Sequence, residues 1–127
     1  MKLNPDCIRD ILFWLEDVTL PDTDVNISYR NCTPECLNQY SEVEFIYHIQ
    51  QCINFNLVMA TDKKPLNCRF RITDLSPDGH DFLAAVRENN NWNKAKEIAS
   101  QISVLSLGTL KEISTTVVAG LLTEYFK

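Results

Sequence analysis

Leu75-Ser76-Pro77-Asp78-Gly79-His80-Asp81-Phe82-Leu83 is the stretch that organises this chain. Serine ahead of proline and aspartate is a helix start. The hydroxyl caps unpaired N–H groups, proline suits the first helical position, and the carboxylate favours the positive end of the helix dipole. Phe82, Leu83 and Val86 then fall on one side of the helix. Just upstream, Cys68-Arg69-Phe70-Arg71-Ile72 alternates, placing Cys68, Phe70 and Ile72 on one face of a strand and Arg69 and Arg71 on the other. The stretch marks the handover from a β-strand to a helix, with Gly79 allowing a close approach between them.

Upstream, Leu57-Val58-Met59-Ala60 is a compact apolar run and Asp62-Lys63-Lys64-Pro65 a polar turn, which together predict a hairpin, or β-wing. Ser41-Glu42-Val43-Glu44 matches a capping box and opens a helix ending near Asn54. Val43, Ile46, Tyr47, Ile49 and Ile53 are expected inward, and Asn56 suits a left-handed stop. Thr33-Pro34-Glu35 reads as the cap and first turn of a brief helix through Gln39. Val25-Asn26-Ile27-Ser28-Tyr29 alternates as a short strand. Asn4-Pro5-Asp6 starts a first helix whose apolar face is Ile8, Ile11, Leu12 and Leu15, and residues 20–24 break it.

Downstream, Asn89-Asn90-Asn91 is expected to interrupt the helix. A new one follows with Trp92, Ala95, Ile98, Ala99 and Ile102. Ser106 is positioned to cap a last helix, with Leu110, Ile113, Val117, Leu121 and Tyr125 on one side and Val118 and Leu122 widening it. The order predicts an α+β, mostly helical fold: a winged helix-turn-helix-like core with a two-strand β-wing and additional C-terminal helices. One domain is expected over residues 1–127, with its core at about 4–88 and a helical extension at about 91–126.

Of the 127 residues, 45% are hydrophobic, enough for a core that needs neither disulfides nor metal. The net charge of −5 opposes any binding led by phosphate contacts, without excluding a local basic patch. Cys7, Cys32, Cys36, Cys52 and Cys68 make an odd set, which argues against a closed disulfide framework. The N-terminus is polar and the late apolar run at residues 117–122 is far short of a membrane span, so a cytoplasmic location without membrane contact is expected.

Several stretches together resemble a family: Asn4-Pro5-Asp6-Cys7-Ile8-Arg9-Asp10-Ile11-Leu12, Tyr47-His48-Ile49, Asp74 through the opening stretch, Val86-Arg87 and Trp92-Asn93-Lys94-Ala95-Lys96. The chain is similar to the domain of unknown function 2513 family of Gram-positive bacteria and their phages. The resemblance implies a winged-helix-like fold and no activity. This chain departs from the family in carrying Asn56 where a glycine is common; asparagine tolerates the left-handed conformation, so the turn is expected to survive.

Asp74, Asp78, His80 and Asp81 crowd the opening stretch as a catalytic or metal site requires, but side chains one residue apart on a helix do not share a face. Ser76, Pro77, Gly79, His80, Phe82 and Leu83 therefore read as a structural motif, with His80 making a structural hydrogen bond. Cys32-x-x-x-Cys36 with His48 or His80 lacks the second cysteine pair of a zinc site. Cys7 or Cys52 with His48 lacks a nucleophile elbow, and no phosphate loop or dinucleotide fingerprint is present. No catalytic residue, metal, cofactor or small-molecule substrate is expected, and the chain reads as a non-enzyme.

Two readings stay open. In one the chain is a phage- or prophage-type DNA-binding regulator. The wing then supplies Lys63, Lys64, Arg69 and Arg71, with Arg30 beside them, and Gln50 and Gln51 read adenine edges in duplex DNA. Against this, the helix before the wing has no Lys or Arg and opens on Glu42 and Glu44, and wing charges often do no more than solvate an edge hairpin. In the other the chain is a protein-interaction module. Its last helix is apolar over more than one packing stripe, enough to support a homodimer unless the Trp92 helix and the core cover it.

Overall fold

Asn4 caps the first helix as its side chain dictates, the carboxamide oxygen accepting the N–H of Asp6 at 3.1 Å. In the computed structural model this helix, α1, runs Pro5–Val18. The structure describes residues 1–28, 33–61, 69–103 and 106–126, Arg69 by its backbone alone. Tyr29, Arg30, Cys32, the 62–65 turn with Lys63 and Lys64, and Cys68 lie outside the described residues. The chain forms two compact units, Met1–His80 and Asp81–Lys127.

In the first unit, α1 buries Cys7, Ile8, Ile11, Leu12 and Leu15. Strand β1 (Val25–Ser28) follows, then a single 3-10 turn (Glu35–Leu37) and helix α2 (Glu42–Asn54). The Ser41–Glu44 capping box is formed at both ends, and Asn56 takes the left-handed conformation at φ 57° that ends α2. Strands β2 (Val58–Ala60) and β3 (Arg69–Leu75) complete an antiparallel sheet in the order β1-β3-β2. Val25 pairs with Ile72 and Ile27 with Phe70, so Ile27, Phe70 and Ile72 turn inward together. These elements make the α+β, mostly helical fold that the sequence predicts, compatible with a winged-helix-like core. The sheet has three strands rather than a two-strand wing alone, because β1 returns to pair with β3.

Helix α3 (Pro77–Val86) begins where the opening stretch places it. The Ser76 hydroxyl accepts the Gly79 N–H at 2.9 Å and donates to the Asn56 carbonyl, while the Ser76 N–H donates to the Leu57 carbonyl at 3.0 Å. A Cβ on Gly79 would lie 1.9 Å from that same Leu57 oxygen, so only glycine fits. The second unit holds the rest of α3, then α4 (Asn89–Gln101) and α5 (Leu107–Tyr125). Phe82 meets Trp92 edge-to-face at 6.5 Å, and Ala95, Ala99, Leu107 and Leu110 are fully or nearly fully buried. Ser106 caps α5, accepting the Thr109 N–H at 3.1 Å.

Some expectations are corrected. Thr33 does not cap a helix: Pro34 precedes a 3-10 turn with no side-chain cap, and the Thr33 hydroxyl is buried without a partner. Val43 is 55% exposed, because it lies seven residues before Gln50 on the outer face of α2, while Phe45, His48 and Cys52 fill the inner one. The three asparagines do not interrupt a helix but open α4; the break is at Arg87 and Glu88. Ile102 is exposed at the end of α4. Among the described residues no helix is long and apolar enough to cross a membrane.

Gly79→Ala is expected to destabilise the fold by about 3 kcal/mol in urea unfolding, since backbone must move to admit the methyl group. Gly108→Ala, where nothing lies within 4 Å of the new atom, is the control and should leave the midpoint unchanged or raised.

Candidate interaction surfaces

The exposed face of α2 follows from its period. Val43, Gln50 and Asn54 are exposed and Tyr47 and Gln51 half-buried, giving a surface of amides and apolar atoms with no cation, and the first turn adds the exposed Glu42. Gln50 is therefore presented outward and Gln51 only partly. On the sheet, Arg71 is exposed, but its Nε lies 3.4 Å from the Asn26 carboxamide oxygen and 3.9 Å from an Asp24 carboxylate oxygen. The charge at the described end of the wing is thus partly answered by β1 and the turn before it. Lys63, Lys64 and the Arg69 side chain are outside the described residues.

His80 does not make the expected structural hydrogen bond. It is exposed, and its Nε2 stands 3.7 Å from Asp74 Oδ1, beyond hydrogen-bond length. The Asp74 carboxylate instead accepts from the Thr19 hydroxyl at 3.3 Å and the Leu75 N–H at 2.7 Å. The Ser76 hydroxyl accepts the Gly79 N–H at the start of α3, and Phe82 and Leu83 are buried. Among the described residues no three His, Cys, Asp or Glu side chains group to hold a metal ion.

The structural histidine is His48. It is fully buried in α2; its Nε2 accepts the Asn4 N–H at 2.8 Å, and its Nδ1 lies 2.7 Å from the Glu44 carbonyl. An N–H donor at Nε2 fixes the neutral tautomer with the proton on Nδ1, donated to Glu44. One ring thus ties the start of α1 to α2. The signal in the sequence is His48 at i+3 from Phe45 and i−4 from Cys52, within the apolar face.

A second surface lies on α4 and α5. A groove of about 470 Å³ runs between them, with Ile98, Ile113, Val117 and Leu121 as its apolar lining and Lys94 and Glu124 at its edges. Beyond it the apolar stripe of α5 continues uncovered: Leu121, Leu122, Tyr125 and Phe126 are 46%, 54%, 81% and 77% exposed. The helix lengths account for this. Helix α5 has 19 residues and α4 has 13. At a rise of about 1.5 Å per residue, α5 outruns its neighbour by about 9 Å.

Cys7 and Cys52 are buried and Cys36 is exposed, all as free thiols. Burial first, then the carboxylates of Glu44 and Asp10, push the Cys7 thiol up to about 12. Burial likewise pushes the Cys52 thiol above the ordinary range, with Cys7 adding to it. Burial and the bond its hydroxyl donates to Asp10, at 2.6 Å, raise Tyr40 too. A folded-state value above the unfolded one stabilises the protein fully below the unfolded value and loses that contribution as pH rises.

Two predictions follow from these groups. His48→Phe keeps an aromatic ring but strands the Asn4 N–H, and should cost about 1–3 kcal/mol in urea unfolding. Stability should be level below about pH 9 and then fall toward pH 12, by about 1.4 kcal/mol per pH unit for each buried thiol that ionises only when unfolded. The fall should be shallower in Cys52→Ala, measured by unfolding across that range.

No curated protein and no solved structure matches the chain. A family described as hypothetical protein (DUF2513) matches residues 2–105, which takes in α1 to α4 and stops short of α5. Over most of its length, then, with its capped α1, its buried His48 helix and its Ser76–Gly79 junction, this chain belongs to the domain of unknown function 2513 family.

Proposed function

We propose that the protein is a non-enzymatic module that acts by binding another polypeptide through α5 and the groove beside it. The exposed end of α5 carries this reading. Four large apolar side chains, Leu121, Leu122, Tyr125 and Phe126, stand about half exposed or more on consecutive turns. Contiguous apolar surface of this kind marks an interaction site more often than isolated exposed residues do. Net charge and the cation-free outer face of α2 point the same way, since a nucleic-acid surface needs cations where the phosphates lie.

A photoreactive residue in place of Leu122 tests it. In the native host cell, discrete cross-linked adducts are expected, and these should disappear in Tyr125→Ser/Phe126→Ser at unchanged thermal stability. No adduct of any kind would remove the reading.

DNA binding is the second reading, favoured by the order of helices and strands, by the outward amide of Gln50, and by the run of cations Lys63, Lys64, Arg69 and Arg71 in the sequence. Its measure is binding to random duplex DNA over a salt series. Affinity should fall steeply as salt rises, and Lys63→Ala with Lys64→Ala should flatten the slope by about one unit per lost phosphate contact. Absence of binding at low salt would exclude it.

A further inference from the structure

Helix α1 has a second face. Asp10, Phe13, Trp14 and Asp17 recur at i, i+3, i+4 and i+7, the spacing of one helical stripe, and none of them belongs to the buried set of Cys7, Ile8, Ile11, Leu12 and Leu15. The four form one wall of a cleft of about 280 Å³, with Cys36 and Leu37 of the 3-10 turn on the other side. Phe13 and Trp14 are half-buried. The two carboxylates end the stripe two helical turns apart, roughly 10 Å along the axis. We propose that this cleft takes the arginine side chain of a partner polypeptide. It belongs to the first unit alone, and the reading of α5 does not bear on it.

Charge calls for a cation. Among the described residues neither Asp10 nor Asp17 pairs with one. Asp10 is nonetheless held in place. Its Oδ2 accepts the Tyr40 hydroxyl at 2.6 Å, and its Oδ1 has no hydrogen-bond partner among the described residues. One carboxylate is thus oriented with an acceptor oxygen to spare, and the other, Asp17, is exposed.

The rings favour a guanidinium over an ammonium. Trp14 meets the fully buried Phe45 edge-to-face at 5.7 Å, so its indole is anchored to the core while it lines the cleft. Indole attracts cations more strongly than the other aromatic side chains do. A guanidinium stacks flat on such a ring and pairs with a carboxylate through two N–H groups, whereas an ammonium is compact and strongly hydrated. The stripe already shows this chemistry within the chain: the Arg9 guanidinium lies 4.9 Å from the centre of the Phe13 ring.

Size favours a single side chain. The cleft, at about 280 Å³, falls below the roughly 300–1,000 Å³ of sites that enclose a small-molecule ligand. It suits one long side chain whose backbone stays outside.

The chain has two tryptophans, Trp14 in the cleft and Trp92, 2% exposed, in the other unit. Their indole N–H signals in NMR spectra of the full chain therefore include a control, and Trp14→Phe assigns them. The probe is N-acetyl-arginine methylamide, which presents the side chain between peptide bonds. It should move the Trp14 signal saturably, with a Kd on the order of 1–10 mM for one such contact, and leave Trp92 in place. The lysine counterpart should bind about threefold more weakly or less, and the citrulline counterpart, similar in shape but uncharged, should not bind. Asp17→Asn, at an exposed position, and Asp10→Asn, which keeps an acceptor for Tyr40, should each weaken binding about threefold, and together about tenfold. Thermal unfolding confirms that the variants fold. No saturable movement of Trp14 up to about 50 mM probe overturns the proposal. So does an equal response to citrulline or to lysine, or binding that is unchanged in folded Asp17→Asn and in the folded double variant.

Discussion

The Leu57 carbonyl oxygen occupies the space that a side chain at residue 79 would fill. Around that contact the first unit closes on itself. Asn56 turns left-handed to end α2, its carbonyl accepts the Ser76 hydroxyl, and the Leu57 carbonyl accepts the Ser76 N–H. The same serine hydroxyl accepts the Gly79 N–H, so one side chain both caps α3 and holds its first turn to the exit of α2. The geometry tolerates no Cβ because the opposing atom is backbone, which cannot swing away as a side-chain tip can. Leu57 and Leu75, next to β2 and at the end of β3, are nearly fully buried on either side of this junction. The path of the chain through the sheet is thereby tied to the start of α3.

His48 makes a comparable tie from the middle of α2. Where Ser76 joins a strand–helix junction to the end of α2, His48 joins its middle to the first residues of α1. Both side chains are polar and buried, and both spend their capacity on backbone groups. The residues that look chemically promising in the sequence are placed accordingly. His48 is occupied by two backbone contacts, and Cys7 and Cys52 are buried with their thiolates disfavoured. His80 is left at the surface beside Asp74, at a distance too long for a hydrogen bond. Ser76 and His48 are spent on holding helices together.

Much of the fold was legible because local rules and tertiary packing agree. The Asn4, Ser41, Ser76 and Ser106 caps each use a side chain and the N–H two or three residues on, a purely local match. The candidate interaction surface was legible only in outline. The breadth of apolar positions on α5 announced an excess, but the groove, its Lys94 and Glu124 edges and the open side of Gly120 depend on how α4 and α5 pair. Val43 shows the same limit: an apolar residue in an apolar helix, its exposure was set by which face of α2 met α1 and the sheet.

By itself, then, the sequence determined the caps that open α1, α2, α3 and α5, the order of strands and helices, and the left-handed turn at Asn56. Those features depend on hydrogen bonds and backbone preferences spanning a few residues, and such information is complete within a short window. Only the tertiary structure decided that β1 adds to the sheet beside β3, that His48 rather than His80 is the buried histidine, and that α5 outruns α4 to leave an uncovered apolar end. These are outcomes of long-range packing, in which a residue's fate depends on partners tens of positions away. The opening stretch belongs to both. Its serine and proline announce a helix locally, and its glycine acquires its necessity only when the Leu57 carbonyl arrives from another part of the chain.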